Sequence, residues 1–251
     1  MSTPRQLTDA HDLRAAWQRK PSLRRVYEDA YRRMASLCAS GPTLEVGGGS
    51  GNFKQFAPDT ISTDIVTAPW LDAVADATRL PLGDASLANI VMFDVLHHIE
   101  FPVLFFDEAA RVLRPGGRIV LCEPAITPLS GLFYSHMHPE PVDMRADPFA
   151  IGSPDPRRHP FDSNQAIPTL MFKRQRDRFA ARFPALAIRS LTYLSLFAYP
   201  LTGGFRPWTA VPAALVPALT SLEAMLMPAL GPGMAFRMLV VVERLSVSGE
   251  S

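Results

Sequence analysis

Three glycines alternate directly after a short apolar segment, since residues 43–46 run straight into Gly47-Gly48-Gly49-Ser50-Gly51. Glycine permits sharp backbone turns and lets the backbone approach a ligand closely. A strand that ends in such a loop is typical of doubly wound α/β sheets, which bind ligands at the carboxyl ends of their strands. The dinucleotide fingerprint would need a glycine where Asn52 stands, so the spacing disfavours a dinucleotide. A glycine-rich turn without a ligand is the alternative interpretation.

The remainder of the chain alternates between predicted strands and predicted helices. We predict further strands at 61–66, 73–75, 88–95, 118–122, 187–193 and 237–242. We predict helices at 22–39, 103–113 and 165–183, and a further helix that begins at 52–56. This alternation predicts a Rossmann-like, doubly wound α/β sheet of seven mostly parallel strands with helices on both faces. It also places an insertion after strand 5 and an apolar segment between strands 6 and 7.

Composition limits the domain organisation and the class of partner. With 251 residues, 47% of them hydrophobic, the chain can bury one large core. We expect a single domain over 1–251, with a cofactor-binding half at 22–124, an acceptor and lid region at 125–236, and a last strand at 237–245. The net charge of +1 argues against nucleic acid as the main partner.

Two further features bear on the cellular location of the protein. Cys38 and Cys122 lack metal-ligand spacing and are expected to be reduced packing residues, as in a cytoplasmic protein. The first 20 residues form a polar leader that contains no apolar core, so we expect no signal peptide there.

Acidic residues follow the predicted strands on the same edge of the sheet as the glycine loop. Asp64 ends the second strand, where a carboxylate can accept hydrogen bonds from both ribose hydroxyls, or simply cap the strand. Asp76 and Ala77 follow the third strand and suit an adenine edge, with an Asx turn as the alternative. Phe93 and Asp94 end the fourth strand.

These segments together resemble the class I S-adenosylmethionine-dependent methyltransferases, in particular the group related to the ubiquinone and sterol methylating enzymes. The segments that carry the resemblance are LEVGGGSG at 44–51, Asp64, DATRLPL at 76–82, FDVLHHI at 93–99 and LRPGGR at 113–118. The resemblance covers about residues 40–124 and implies S-adenosylmethionine as cofactor. It implies that the cofactor-binding residues are Glu45, Gly47, Gly49, Gly51, Asp64, Ile65, Asp76, Ala77 and Phe93. Glu45 and Gly47 would then face the methionine end of the cofactor, Asp64 the ribose, and Asp76 the adenine.

Histidines are the candidate catalytic residues. Methyl transfer mainly requires that the acceptor atom is held near the methyl group, and a base is needed only when the acceptor must lose a proton. His98 is the first candidate base, followed by His97 and then His138, although His97 and His98 could instead cap the strand. The spacing of His136, His138 and Glu140 suggests metal ligands, but the neighbouring prolines indicate a rigid loop, and we expect no metal there.

The C-terminal half carries long uncharged runs at 191–205 and 207–221. We favour a buried strand followed by a core helix. The alternative is an apolar lid or a membrane-facing patch, preceded by basic residues at 173–182 that suit an anionic interface. This alternative leads to the hypothesis of a small-molecule acceptor that is apolar or lipid-linked, with peripheral membrane contact. A nicotinamide-dependent oxidoreductase and a non-catalytic cofactor-binding relative are the competing functions, and RNA methylation is disfavoured by the charge.

Overall fold

A seven-stranded sheet forms the centre of the computed structural model, which describes residues 10–246. Its strands are β1 (Thr43–Val46), β2 (Ile61–Asp64), β3 (Ala73–Val74), β4 (Leu87–Phe93), β5 (Leu113–Pro124), β6 (Leu186–Leu194) and β7 (Arg237–Arg244). The strand order is β3-β2-β1-β4-β5-β7-β6. Strands β1 to β5 pair in parallel, and β7 runs antiparallel to both β5 and β6. The predicted fold class is confirmed.

The strand order reverses direction between β1 and β4, which are neighbours in the sheet but not in the chain. The chain first travels outward from β1 to β3 and then returns to place β4 on the other side of β1. Loops that leave the carboxyl ends of β1 and β4 therefore diverge and open a crevice. The glycine loop and the FDVLHHI segment border this crevice.

Helices cover both faces of the sheet. They are α1 (Ala10–Arg19), α2 (Pro21–Leu37), α3 (Pro102–Val112), α4 (Pro128–Met137), α5 (Ile167–Thr169), α6 (Arg176–Arg182), α7 (Ala198–Thr202) and α8 (Val216–Met234). Successive residues of β4 point to opposite faces, so Ile90 packs into the core that contains Phe106, whereas Val91 packs into the core that contains Tyr27. Because both faces are buried, β4 is apolar almost throughout.

The segment after the glycine loop differs from the prediction. A helix was expected to begin at 52–56, but within the described residues 47–60 the chain makes a single 3₁₀ turn at Phe53–Gln55. Pro58 cannot continue a helix, and β2 already starts at Ile61, so the connection is too short for one.

The region after β5 is partly ordered by local capping. Helix α4 lies inside the predicted irregular insertion, and its first turn is closed by reciprocal hydrogen bonds between Thr127 and Ser130. Residues 138–166 then form a long irregular loop. The single helix predicted at 165–183 is instead α5, a π-helical turn at Leu170–Arg174, and α6, because the backbone breaks at Gln175.

The position of α8 contradicts the core helix that we favoured for the uncharged C-terminal run. The stretch Ala213–Met234 is long and apolar enough to cross a membrane by length and composition, with a mean hydropathy of 1.5, yet 11% of it is buried. Val216, Glu223 and Gly231 are the buried residues of α8. Helix α8 packs against α2, α4 and the edge strand β6, and most of its surface lies outside the core.

Candidate active site

A cavity of about 400 Å³ occupies the crevice between the carboxyl ends of β1 and β4. The residues predicted to bind the cofactor all line it except Gly51, and so do the histidines predicted as catalytic, His97, His98 and His138. Gly51 instead packs against the Trp70 ring, where an added Cβ would lie 2.5 Å from Cδ1. The fold therefore gathers these residues from four strand ends and from the loop after α4 into one site.

The glycine loop needs its glycines for two separate reasons. Gly47, Gly49 and Gly51 have φ values of 71°, 45° and 70°, in the left-handed region that side chains disfavour. A Cβ on Gly47 would also lie 2.3 Å from Cγ2 of Val95, which belongs to the loop after β4. Glycine at this position lets the loops after β1 and β4 approach each other at the crevice.

Glu45 brings a buried carboxyl group to the cavity from within β1. It accepts a hydrogen bond from the Ser62 hydroxyl on the neighbouring strand. Burial raises the pKa of Glu45 to about 7, although the hydrogen bond from Ser62 opposes that rise. A carboxyl with this pKa is ready to ionise when a cation lies beside it.

Asp64 and Asp76 have defined hydrogen bonds at the ends of their strands. Asp64 accepts the backbone N–H of Gly49 at 2.9 Å on Oδ2 and that of Val66 at 3.0 Å on Oδ1. It thus holds the glycine loop in place, and each oxygen keeps a lone pair for a further donor. Asp76 accepts the backbone N–H and the hydroxyl of Thr78, both at 2.8 Å, so the Asx turn forms at this cavity wall.

An arginine from β7 reaches the end of β4, and sequence reasoning missed it. Arg237 is buried, forms an ion pair with Asp94 and donates to the Tyr27 hydroxyl at 3.0 Å. Its guanidinium lies 4.9 Å from the Phe93 ring and 4.4 Å from the Tyr199 ring. Asp94 has the unusual φ of 57° at this point. The two charged partners are 143 positions apart, so only the folded topology brings them together.

The N-terminal wall of the cavity is fixed by Lys20. Leu13 and Trp17 of α1 line the cavity, and Lys20 follows at the junction with α2. Its ammonium donates to carbonyl oxygens at 2.5–2.9 Å, and burial lowers the pKa of Lys20. These carbonyls belong to Thr202, Gly204, Arg206 and Trp208.

His97 lies buried between two carboxylates. Its Nδ1 is 2.7 Å from Oε2 of Glu123, and its Nε2 is 3.3 Å from Oε2 of Glu140. Burial alone lowers the pKa of His97, but the hydrogen bonds and charges of Glu123 and Glu140 outweigh it and raise the pKa to about 10. In this environment His97 carries a proton at neutral pH, so it is poorly suited to act as a general base.

The pKa values of His98 and His138 are lowered, in contrast to that of His97. Burial, followed by the charge of His97, lowers the pKa of His98 to about 4. The His98 ring lies 4.2 Å from the His97 ring, and its Nδ1 is buried without a partner among the described residues. Burial also lowers the pKa of His138, whose Nδ1 accepts the backbone N–H of Glu140 at 3.3 Å. Of the three predicted candidates, His98 therefore has an unpartnered, unprotonated nitrogen.

His136, His138 and Glu140, whose spacing in the sequence suggests metal ligands, do not come together as one group in the structure. His136 lies on α4, where its Nδ1 contacts the carbonyl of Leu132 at 2.9 Å. Glu140 instead meets His97 and His98 from the FDVLHHI segment, and ligand atoms of the three residues lie within 4.8 Å of one another. The sequence suggested a local trio, whereas the fold assembles one that crosses two segments.

The topology, the glycine loop and the acids at the strand ends define a class I methyltransferase architecture. Residues 44–121 match the family model described as a methyltransferase domain, so this part of the chain is similar to methyltransferases. This family is the one that the sequence motifs resemble, and it disfavours the nicotinamide-dependent alternative.

The curated relatives are similar to part of the chain. A probable S-adenosylmethionine-dependent methyltransferase of Mycolicibacterium smegmatis is 30% identical over 115 residues, which cover 40% of this chain and 44% of the relative. A demethylmenaquinone methyltransferase of Clavibacter sepedonicus is 44% identical over 55 residues, 22% of either chain. The matches thus span less than half the length of these relatives.

A solved structure extends the likeness of the fold to most of the chain. A methyltransferase from Thermotoga maritima has a TM-score of 0.54 at 14% identity, and the match covers 94% of this chain and 99% of that one. At this identity the likeness establishes the fold.

Proposed function

We propose that this protein transfers the methyl group of S-adenosylmethionine to a small apolar or lipid-linked acceptor. The observation that carries the proposal is the convergence of the glycine loop, Glu45, Asp64 and Asp76 on one cavity at the switch point of the sheet. Asp64 would accept the ribose hydroxyls, and Asp76 with Ala77 would meet the adenine edge. Glu45 would attract the cationic methionine end of the cofactor.

The acceptor side of the cavity supports an apolar, ring-bearing acceptor. Aromatic side chains line it, and they come from α2, α4, α7 and the loop after α7. These side chains are Tyr27, Tyr31, Tyr134, Tyr199 and Phe205. Aromatic walls bind flat apolar groups through large contact areas, and the charge of Arg237 beside them suits a polar substituent such as a ring oxygen. The demethylmenaquinone methyltransferases among the relatives are consistent with this acceptor class.

The outer surface of the acceptor half supports contact with a membrane. Helices α4 and α8 pack together, and both expose large apolar side chains, among them Leu132 at 62% and Met225 at 79%. Glu223, the charged residue of α8, turns inward and accepts the backbone N–H groups of Leu196 and Ala198 at 2.9 and 2.6 Å. The same α4 supplies Tyr134 to the cavity, so a lipid-linked acceptor would lie close to both surfaces.

Methyl transfer would proceed as an in-line displacement on the sulfonium carbon, in which the acceptor atom bonds to the methyl carbon while the carbon–sulfur bond breaks. Holding the acceptor at the correct distance and angle supplies much of the rate. Exclusion of water by the aromatic walls strengthens the electrostatic contacts inside the cavity.

The experiment has a binding arm and a product arm. Calorimetry compares S-adenosylmethionine with NADH, and we expect binding of the former alone. The protein is then incubated with deuteromethyl-labelled cofactor and either a lipid extract or a water-soluble extract, and products are found by mass spectrometry. A labelled product in the lipid extract supports the acceptor class. Label confined to water-soluble products contradicts it, and NADH binding without S-adenosylmethionine binding contradicts the cofactor.

A further inference from the structure

Two histidines and a glutamate meet at the edge of the cavity, and the methyl transfer proposed above uses none of them. His97 and His98 follow β4 in a 3₁₀ turn, and Glu140 reaches them from the loop after α4. All three line the cavity. We propose that His97, His98 and Glu140 bind one divalent transition-metal ion beside the methyl-transfer site.

The spacing of two of the donor atoms suits a metal. Nε2 of His97 lies 3.3 Å from Oε2 of Glu140, which is long for a charged hydrogen bond. Two ligands that each lie about 2.0–2.1 Å from a tetrahedral zinc ion are about 3.3 Å apart. Imidazole nitrogens and a carboxylate oxygen are donors that zinc and ferrous iron accept.

The Nδ1 side of the His97 ring is held by a carboxylate, as is usual for histidines that bind a metal. Its Nδ1 lies 2.7 Å from Oε2 of Glu123, a wholly buried carboxylate. The second oxygen of Glu123 accepts the backbone N–H groups of Val95 and Leu96 at 2.9 and 2.8 Å. A carboxylate that accepts the far N–H of a ligating histidine fixes its tautomer, so Nε2 would be the free donor atom.

Unpartnered buried atoms beside the cluster are the independent observation. His98 Nδ1 and Gln165 Oε1 are both buried without a hydrogen-bond partner among the described residues. His98 Nδ1 is therefore a buried ring nitrogen that no atom of the described residues satisfies. A buried polar atom without a partner destabilises the fold, and a bound cation would satisfy His98.

A proton on His97 is the competing explanation for the cluster. It satisfies His97, Glu123 and Glu140, but it leaves Nδ1 of His98 without a partner among the described residues. A metal ion in place of that proton uses all three side chains. Three protein ligands also leave a position for water or for an oxygen of the acceptor, whose proton a metal ion makes easier to lose. That last role rests on the proposed methyl transfer, whereas metal binding itself does not.

The test measures metal binding without cofactor or acceptor. Chelator-treated full-length protein is titrated with zinc chloride by calorimetry, in the wild type and in the variants His98→Ala and Glu140→Gln. The control is His136→Ala, which removes a histidine from the neighbouring helix outside the cluster. We expect one zinc ion per chain. Loss of an outer partner alone costs about 10- to 100-fold in metal affinity, so each ligand variant should lose at least about tenfold and the control should not.

Cobalt binding provides a second measurement in case a variant fails to fold. We expect Co²⁺ to give a visible absorption spectrum in the wild-type protein and in His136→Ala, and zinc to abolish it. Wild-type protein that takes up no stoichiometric zinc and gives no cobalt spectrum overturns the proposal. So does a folded Glu140→Gln variant with wild-type zinc affinity. Failure of the proposed function would appear separately, as absent labelled product in the presence of intact zinc binding.

Discussion

The segment 44–121 and the segment 125–236 build two sides of one cavity by different means. In the first, the contacts that shape the site are short in sequence, as between Gly49 and Asp64, 15 positions apart, or Glu45 and Ser62, 17 apart. In the second, they are long, as between Lys20 and Thr202, 182 positions apart. Local rules of strand, turn and cap thus shape the wall built by 44–121, whereas the wall built by 125–236 depends on how distant segments pack.

The largest expected effect comes from removing the buried arginine of β7 that meets the end of β4. Arg237→Met removes the buried partner of Asp94, and loss of one member of a buried ion pair costs about 3–5 kcal/mol. We expect urea denaturation to show a loss of about 3 kcal/mol in the free energy of unfolding. Arg189→Met is the matched control, because its ion pair with Glu243 on the same sheet is half exposed and surface pairs contribute about 0–1 kcal/mol. Equal losses in the two variants would contradict the structural role of Arg237.

A second substitution acts on the cofactor side alone. Asp64→Ala removes a carboxylate that positions the glycine loop and faces the cavity. Hydrogen bonds to charged groups contribute about 1.5–3 kcal/mol, so we expect S-adenosylmethionine affinity to fall by roughly 30-fold in calorimetry. Asp59→Ala, an exposed aspartate just before β2, is the control. Unchanged affinity in Asp64→Ala would make the ribose assignment wrong.

The pH dependence of cofactor binding tests Glu45. Burial raises its pKa to about 7, so in the free protein it gains a proton as the pH falls below that value. The ionised form attracts the cationic cofactor, and affinity should therefore rise with pH up to about 7 and fall below it, by up to about tenfold between pH 7 and 6. Glu45→Gln should flatten this profile. If the affinity of the wild type does not change with pH, or falls as the pH rises, the proposed role of Glu45 is wrong.

The smallest expected effect concerns the outer surface of the acceptor half. Met225→Glu places a charge on the exposed apolar face of α8, where surface changes alter stability by about 0.5 kcal/mol or less. We expect severalfold weaker co-sedimentation with anionic phospholipid vesicles and unchanged cofactor affinity, because the charge meets the interface and not the cavity. Gln55→Glu, exposed on the cofactor side, should bind vesicles like the wild type. Equal vesicle binding by both variants would contradict the proposed membrane contact.

The same contrast explains how far the sequence could predict the structure. The order of strands, the glycine loop and the acids at strand ends follow from rules that act over a few residues, so Asp64 and Asp76 could be assigned to one sheet edge. The partner of a buried charge is chosen by topology, so neither Arg237 for Asp94 nor Glu140 for His97 could be found. Hydropathy alone also could not tell whether α8 lies in the core or at its periphery, because both positions suit an apolar helix.

The carbonyl cage around Lys20 also joins two walls of the cavity. One ammonium group connects the segment that contributes Leu13 and Trp17 to the stretch 202–208, which contributes Phe205. Moving either wall alone would break the hydrogen bonds from this ammonium to its four carbonyl partners. We therefore expect the two walls to move together.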